Sequence, residues 1–221
     1  MKRLNDYIIN TTIEFLEKYP DLYEPIPKKS SRDTSTAEVK NIIRARLEKK
    51  LNAKVIPSTP KTIPDPMVSL ILEKFYNKKK ENLKVIEKEH QLSMAAENKV
   101  GEYLELYICY KAYKTKSWVH CLGNIVKGID FIKKIDADNW KLLQIKNRSN
   151  TENSSSNKIR ELLKTRYGID VIKWHRVDAI TGKTNWDIFP DDEFKKELNE
   201  KDFNKFIAKY VNFIKRDLSL D

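Results

Sequence analysis

Apolar positions recur at helical spacing over most of the first half of the chain. Leu4, Ile8 and Phe15 mark a first helix, and Pro20 ends it. A polar loop follows, with Pro25, Pro27 and the run KKSSRDTST. Ser35 and Glu38 then have capping-box spacing, and the helix they open carries Val39, Ile42, Ile43, Leu47 and Leu51 on one face. A second proline loop runs from Pro57 to Pro66. Helical spacing resumes at Met67 and continues through the charged stretch KKKENLKVIEKEH. Within AAENKVGEYLELYICYKAYK, the residues Ala96, Val100, Leu104, Tyr107 and Ile108 form one stripe, which predicts a further helix.

The period then changes. SWVHC, GIDFIKKI and WKLLQIKN read as three short strands, and the turn DADN joins the last two as a hairpin. A Ser/Asn-rich segment, RSNTENSSSN, leads into a short helix, IRELLKTRYG, with Gly168 at its C-cap. A strand, DVIKWHRVDAI, a turn at Thr181–Lys183 and a segment with Trp186 come next. Phe203, Phe206, Ile207, Tyr210, Val211 and Ile214 line one side of a closing helix. The order predicts a mixed α/β fold with an N-terminal helical part.

Composition narrows the classes. The 221 residues are 40% hydrophobic, which supports a real core and excludes a disordered chain. No apolar stretch approaches the roughly 20 residues of a membrane span, and no signal peptide opens the chain, so a cytoplasmic protein is expected. Cys109 and Cys121 give neither a disulfide framework nor metal-ligand spacing, and His90, His120 and His175 are scattered, so no zinc is assigned. The net charge of +11 fits nucleic-acid binding. It fits a solvated basic surface equally well, and in the Lys-rich stretch 78–89 the interleaved Glu81, Glu87 and Glu89 favour that reading. Pro64-Asp65 sits in a loop without strands around it and is treated as a decoy.

The informative piece is GIDFIKKIDADNWKLLQIKNR. Asp130 opens one strand. Gln144 and Lys146, two apart in the next, share a face, while Leu143 and Ile145 point to the other. Burying an unpaired ammonium is costly, so a Lys beside an acid and an amide at the end of an apolar strand needs a reason. Phosphodiester hydrolysis supplies one. It requires a divalent cation with hard oxygen ligands, such as Mg²⁺. Asp130 offers a carboxylate, Gln144 an amide oxygen and residue 145 a carbonyl. Lys146 is suited to hold or deprotonate a water and to steady negative charge. One carboxylate is thin for Mg²⁺, and the preceding helix offers Glu97 and Glu105 around Gly101, which would permit a close backbone approach. Glu105 is the favoured extra ligand, with Glu102 and Glu97 behind it. Gln144 has a second reading, an amide satisfied within the sheet.

Asp130 followed by Gln144-Ile145-Lys146 after a short hairpin resembles the PD-(D/E)xK nuclease motif. More specifically, LLQIKNRSNTENSSSNKIR, followed by IKWHRV and a Trp further on, resembles the SinI-like type II restriction endonucleases over residues 97–190. The resemblance implies a PD-(D/E)xK (restriction endonuclease-like) core, a mixed sheet flanked by helices. It implies Mg²⁺-dependent cleavage of double-stranded DNA, leaving a 5′-phosphate, by a homodimer at a short palindromic site of GGWCC type (W is A or T). A cognate DNA methyltransferase is expected beside it. Asp130 matches the motif Asp and Lys146 the motif Lys. Gln144 stands where the wider superfamily has Asp or Glu, and Ile129 where it has Pro.

On this reading Asn147, Arg148, Ser149, Asn150, Lys158 and Arg160 contact DNA, with Arg148 or Arg160 suited to guanine. Lys173 and Arg176 on the later strand join them, with His175 and Lys183 in reserve; a core hairpin with an exposed basic face accounts for that strand equally well. The chain divides into 1–90, a helical region that embraces DNA or builds a dimer; 91–190, the catalytic and recognition core; and 191–221, a helix on the core or the interface. Two alternatives remain. One is a repair or junction-resolving nuclease of the same superfamily. The other is a non-catalytic DNA-binding protein on a degenerate core.

Overall fold

A computed structural model of the chain describes residues 2–23, 36–58, 65–123, 125–149 and 154–219. The element order is α1 (Lys2–Lys18), α2 (Thr36–Leu51), α3 (Pro66–Lys74), α4 (Lys80–Thr115), β1 (Val119–His120), β2 (Phe131–Lys134), β3 (Trp140–Arg148), α5 (Ser154–Tyr167), β4 (Val171–Val177) and α6 (Glu200–Asp217). The chain forms two compact units. Residues 1–54 and 104–221 make one and residues 55–103 the other, with α4 running through both. None of the described helices is long and apolar enough to cross a membrane. Ser35 of the expected capping box, most of the polar loop before it, and Asn150 lie outside the described residues.

The larger unit is built on a four-stranded mixed sheet in the order β1-β2-β3-β4. β2 and β3 form the expected antiparallel hairpin, with Phe131 opposite Leu143 and Ile132 opposite Leu142. Asp136 shapes its turn: the Oδ1 atom accepts from the N–H groups of Asp138 and Asn139 at 2.9 Å each. β4 lies parallel to β3, pairing Ile145 with Trp174 and Lys146 with His175. A parallel pair needs a crossover, and α5 supplies it.

Strand alternation sorts the side chains into two layers. Ile132, Trp140 and Leu142 join Ile9, Phe15, Leu22, Leu47 and Leu163 in a core beneath α1, α2 and α5. Phe131, Leu143, Ile145 and Trp174 are buried toward the other face. There Trp174 meets Trp186 at 5.2 Å between ring centroids, and Tyr107 of α4 meets Trp186 and Phe203 at 5.8 and 5.3 Å. The sheet is therefore covered by helices on both faces.

Three details depart from the sequence reading. α5 begins at Ser154, so part of the Ser/Asn-rich run is its first turn; Ser and Asn favour helix starts, where their side chains can serve the free N–H groups. The stretch from Met67 onward is two helices, broken where Asn77 takes a left-handed φ of 53°. No atom lies within 4 Å of where a side-chain carbon at Gly101 would sit, so that glycine serves no close approach among the described residues. Asp65 of the decoy pair is the N-cap of α3, its carboxylate accepting from Met67 N–H at 2.9 Å. Gly128 is the glycine the fold needs. Its φ is +65°, and an added Cβ would lie 3.1 Å from Ile159 Cδ1, where the loop ahead of Asp130 presses on α5.

Candidate active site

The site forms where β2 begins and β3 passes beside it. Asp130 N–H donates to Leu143 O at 3.0 Å, and Asp130 O accepts from Cys121 N–H at 2.8 Å, so backbone bonds on both sides fix the residue. Its Oδ2 accepts from Ile145 N–H at 2.6 Å. The carboxylate is thereby tied to the strand that carries Gln144 and Lys146.

Part of Asp130 stays open, but protein atoms crowd its carboxylate. Burial raises its pKa, and the charge of Glu105 raises it further. The Ile145 hydrogen bond, His120 and Lys146 pull the other way, and the balance is about 6. Charges from both faces of the sheet thus converge on one acid: Glu105 and His120 from the α4 side, Lys146 from the α5 side. Glu105 is near enough to Asp130 for its charge to act on that carboxylate. Glu102 and Glu97 belong to the other unit, where Glu102 pairs with Lys99 at 2.6 Å.

His120 is the group the sequence reading missed. It is buried, stacks on Phe131 at 4.8 Å, and its Nε2 lies 3.0 Å from Glu105 Oε2. Burial works against its charged form, but the Cys109 sulfur and the Glu105 carboxylate favour that form and outweigh burial, moving its pKa up to about 10. The opposite nitrogen, Nδ1, is buried without a hydrogen bond among the described residues, so the Glu105 contact is what orients the ring. Cys109 follows Glu105 by four residues, one helical turn. That spacing was a usable signal for a shared neighbour.

Gln144 is 4% exposed. A buried amide needs partners, and Arg160 Nη1 of α5 donates to its Oε1 at 2.8 Å. Arg160 also bonds Asn157. Lys146 is half-buried, and among the described residues no carboxylate lies within ion-pair distance of its ammonium.

Three of the other expected DNA contacts, Asn147, Arg176 and Ser149, make hydrogen bonds within the protein. Asn147 Oδ1 accepts from Arg176 Nε at 3.0 Å, and Arg176 Nη1 donates to Glu200 Oε1 at 2.5 Å. The same guanidinium lies 5.2 Å from the Phe203 ring centre. Arg176 thus locks β3 and β4 to α6. Ser149 Oγ accepts from Ala179 N–H at 2.9 Å, pinning the turn after β4. Arg148, Lys158 and Lys173 are exposed.

Arg176→Ala is expected to destabilise the protein by about 2 kcal/mol in a urea titration. It strands Glu200, which also takes Trp186 Nε1–H at 2.8 Å. Unchanged stability with weakened DNA binding would instead make Arg176 a DNA contact.

Comparison with known proteins gives the chain its relatives. The sequence profile described as SinI restriction endonuclease matches residues 5–213. A type II restriction enzyme of Escherichia coli, Eco47I, is 42% identical over 202 residues, covering 90% of this chain and 84% of the relative. The type II restriction enzyme SinI of Salmonella infantis is 41% identical over 210 residues, covering 92% and 86%.

Proposed function

The chain belongs to the SinI restriction endonuclease family and is a type II site-specific deoxyribonuclease, and on that premise we propose that it cuts duplex DNA with Mg²⁺, as a homodimer, at a short palindromic GGWCC-type site. The catalytic core is of the PD-(D/E)xK kind, formed by the β2–β3 hairpin, α5 and β4, with Asp130, Glu105, Gln144 and Lys146 as its working residues. One observation carries this reading: Glu105 and Lys146, from opposite faces of the sheet, both act on the carboxylate of Asp130.

The donor set fits a divalent cation. Two carboxylates oppose each other's charge at Asp130, and a cation between them reverses that opposition. Among the described residues no group of three or more His, Cys, Asp and Glu side chains is poised for a metal. Mg²⁺ suits such a sparse set, because it binds through one or two carboxylates and keeps several waters. Asp130 and Glu105 would hold it, with the carbonyl of residue 145 and the free lone pair of Gln144 completing the set. When bound, it supplies polarisation of the phosphate and a more acidic water.

The chain's own groups do the rest. Lys146, whose ammonium has no ion-pair partner among the described residues, positions the attacking water and steadies the charge on the phosphate. His120 orients Glu105. Arg160, steadied by Gln144, supports a phosphate oxygen near the cut, and Arg148 and Lys158 reach bases and phosphates. The product keeps a 5′-phosphate. A companion methyltransferase acting on the same site would protect the host DNA.

Plasmid DNA of known sequence tests the whole reading. Discrete fragments ending at GGWCC with Mg²⁺, and none with EDTA, are expected. Random nicking would favour a repair-type nuclease. Shifted bands without cutting would favour a binding protein on a degenerate core.

A further inference from the structure

β4 sets one more side chain beside Lys146. It lies parallel to β3, and the pairing puts Leu142 beside Val171, Gln144 beside Lys173 and Lys146 beside His175. Partners on adjacent strands point to the same face, so the face toward α5 changes character within three rungs. The first rung is apolar, with Leu142 in the core and Val171 packed against it. The next two carry an amide, an imidazole and two ammonium groups, and Arg160 of α5 reaches over to Gln144 at 2.8 Å. The other face is taken by the neighbours of His175: Trp174 packs on Trp186 at 5.2 Å, and Arg176 bonds Glu200. His175 itself is half-buried, and no hydrogen bond reaches its ring among the described residues. Asp178, the acid its charge acts on, is engaged in the turn after β4. Its Oδ1 accepts from Ile180 N–H, Thr181 N–H and the Thr181 hydroxyl at 3.1, 2.7 and 2.9 Å. Lys146 has no carboxylate within ion-pair distance either. Two donors side by side, with no acceptor on either among the described residues, make a place for an anion.

We propose that His175 is a positioning residue that donates a hydrogen bond to the phosphate next to the cut one, on the side of Lys146 away from Asp130. The proposal rests on the nuclease reading above and deepens it. Strand order gives the direction. Asp130 leads into β2, Lys146 is on β3 and His175 on β4, and these strands are neighbours in the sheet. The acid, the ammonium and the imidazole therefore follow one another across it. Each step is one strand spacing, ~4.8 Å, of the same order as the step between successive phosphates of a DNA strand. A DNA backbone whose cut phosphate lies at Asp130 and Lys146 brings its next phosphate to β4. No bond changes at that second phosphate. His175 acts by fixing the register of the DNA strand, and with it the line of attack at the first. A neutral imidazole has one N–H to give, and a phosphate oxygen accepts it. Lys173, one rung back and exposed, adds positive charge along the same strand.

Methylphosphonate interference tests the contact, because it replaces a charged phosphate oxygen by a methyl group at a chosen position. The substrate is a duplex carrying the sequence that the wild type cuts, modified at either phosphate adjacent to the cut one. Cleavage is followed in a single turnover with Mg²⁺ and saturating enzyme. For the wild type, modification at one of the two positions should slow cleavage about 10-fold. His175→Phe keeps a ring and loses the donor. It should slow cleavage of the unmodified duplex by a similar factor, and the same modification should then cost it less than about twofold more. His175→Gln keeps an N–H donor and should recover most of the rate. All three proteins should melt alike. If the two effects multiply in full at both positions, or if His175→Phe cuts as fast as the wild type, the contact is overturned. A melting temperature lowered in both variants, with no recovery of rate in His175→Gln, makes His175 structural and overturns it as well. Each of these outcomes leaves the nuclease reading standing. A wild type that binds duplex DNA and cuts none overturns that reading and this proposal together.

Discussion

Asp130→Asn should abolish cleavage and, in the same protein, raise the melting temperature in the absence of metal. Both effects come from one charge. Burial and the field of Glu105 lift the Asp130 pKa from 3.8 to about 6. An acid whose folded pKa lies above its unfolded value destabilises the fold once it ionises. The penalty is absent below the unfolded value, grows between 3.8 and about 6, and is complete above that. At about 1.4 kcal/mol per unit it amounts to roughly 1–3 kcal/mol at neutral pH. Asparagine still offers an oxygen to Ile145 N–H but carries no charge. The expected gain is about 3–10 °C for a chain of this size. Thermal melts at pH 7.5 and pH 4.5 check it, and the gain should shrink at the lower pH. Mg²⁺ should stabilise the wild type and leave the variant nearly unmoved. A variant that melts at or below the wild-type temperature at pH 7.5 would show that Asp130 carries no such strain.

Lys146→Met should slow cleavage about 10²- to 10⁴-fold while leaving binding and stability near wild type. Methionine keeps the apolar stem that fills the end of β3. The ammonium it removes has no ion-pair partner among the described residues, so no carboxylate is stranded by its loss. Arg176 is the contrast, since its guanidinium holds three groups at once. Lys146 also favours the ionised form of Asp130. Its removal should therefore shift the acid limb of the residual cleavage to higher pH. Single-turnover cleavage with Mg²⁺ and fluorescence anisotropy of a labelled duplex without Mg²⁺ separate the two effects. Binding lost in parallel with cleavage would make Lys146 a docking residue and not a catalytic one.

What the sequence showed, it showed through period. Leu142, Gln144 and Lys146 alternate with Leu143 and Ile145, and that pattern alone sets two polar groups on one face of a strand. The Asp136–Asn139 turn made the hairpin equally readable. Pairing partners were not readable. Nothing in Val171–Val177 states that it lies parallel to β3, because alternation gives a strand its faces but not its neighbour. The break between α3 and α4 was hidden for a related reason. Lysine and glutamate are good helix formers, and a single left-handed Asn77 interrupts them without glycine or proline. His120 was missed because the one-turn spacing of Glu105 and Cys109 signals a shared neighbour without naming it, and the contact across 15 residues and the stacking on Phe131 that do so exist only in the fold. Gln144 was seen, but its partner was not. Arg160 reaches it only because the crossover helix returns over the strand.

The hydrogen bond from Ile145 N–H to Asp130 has a consequence for safety. A nuclease is a hazard while it is half folded. Here the acid is held by the backbone of the strand that presents the amide and the lysine, and its own N–H is held by Leu143 one step away. If the hairpin frays, Asp130 is released and Lys146 loses its place in the same event. A chain whose hairpin is unpaired is therefore expected to be inert, with neither the acid nor the lysine in place.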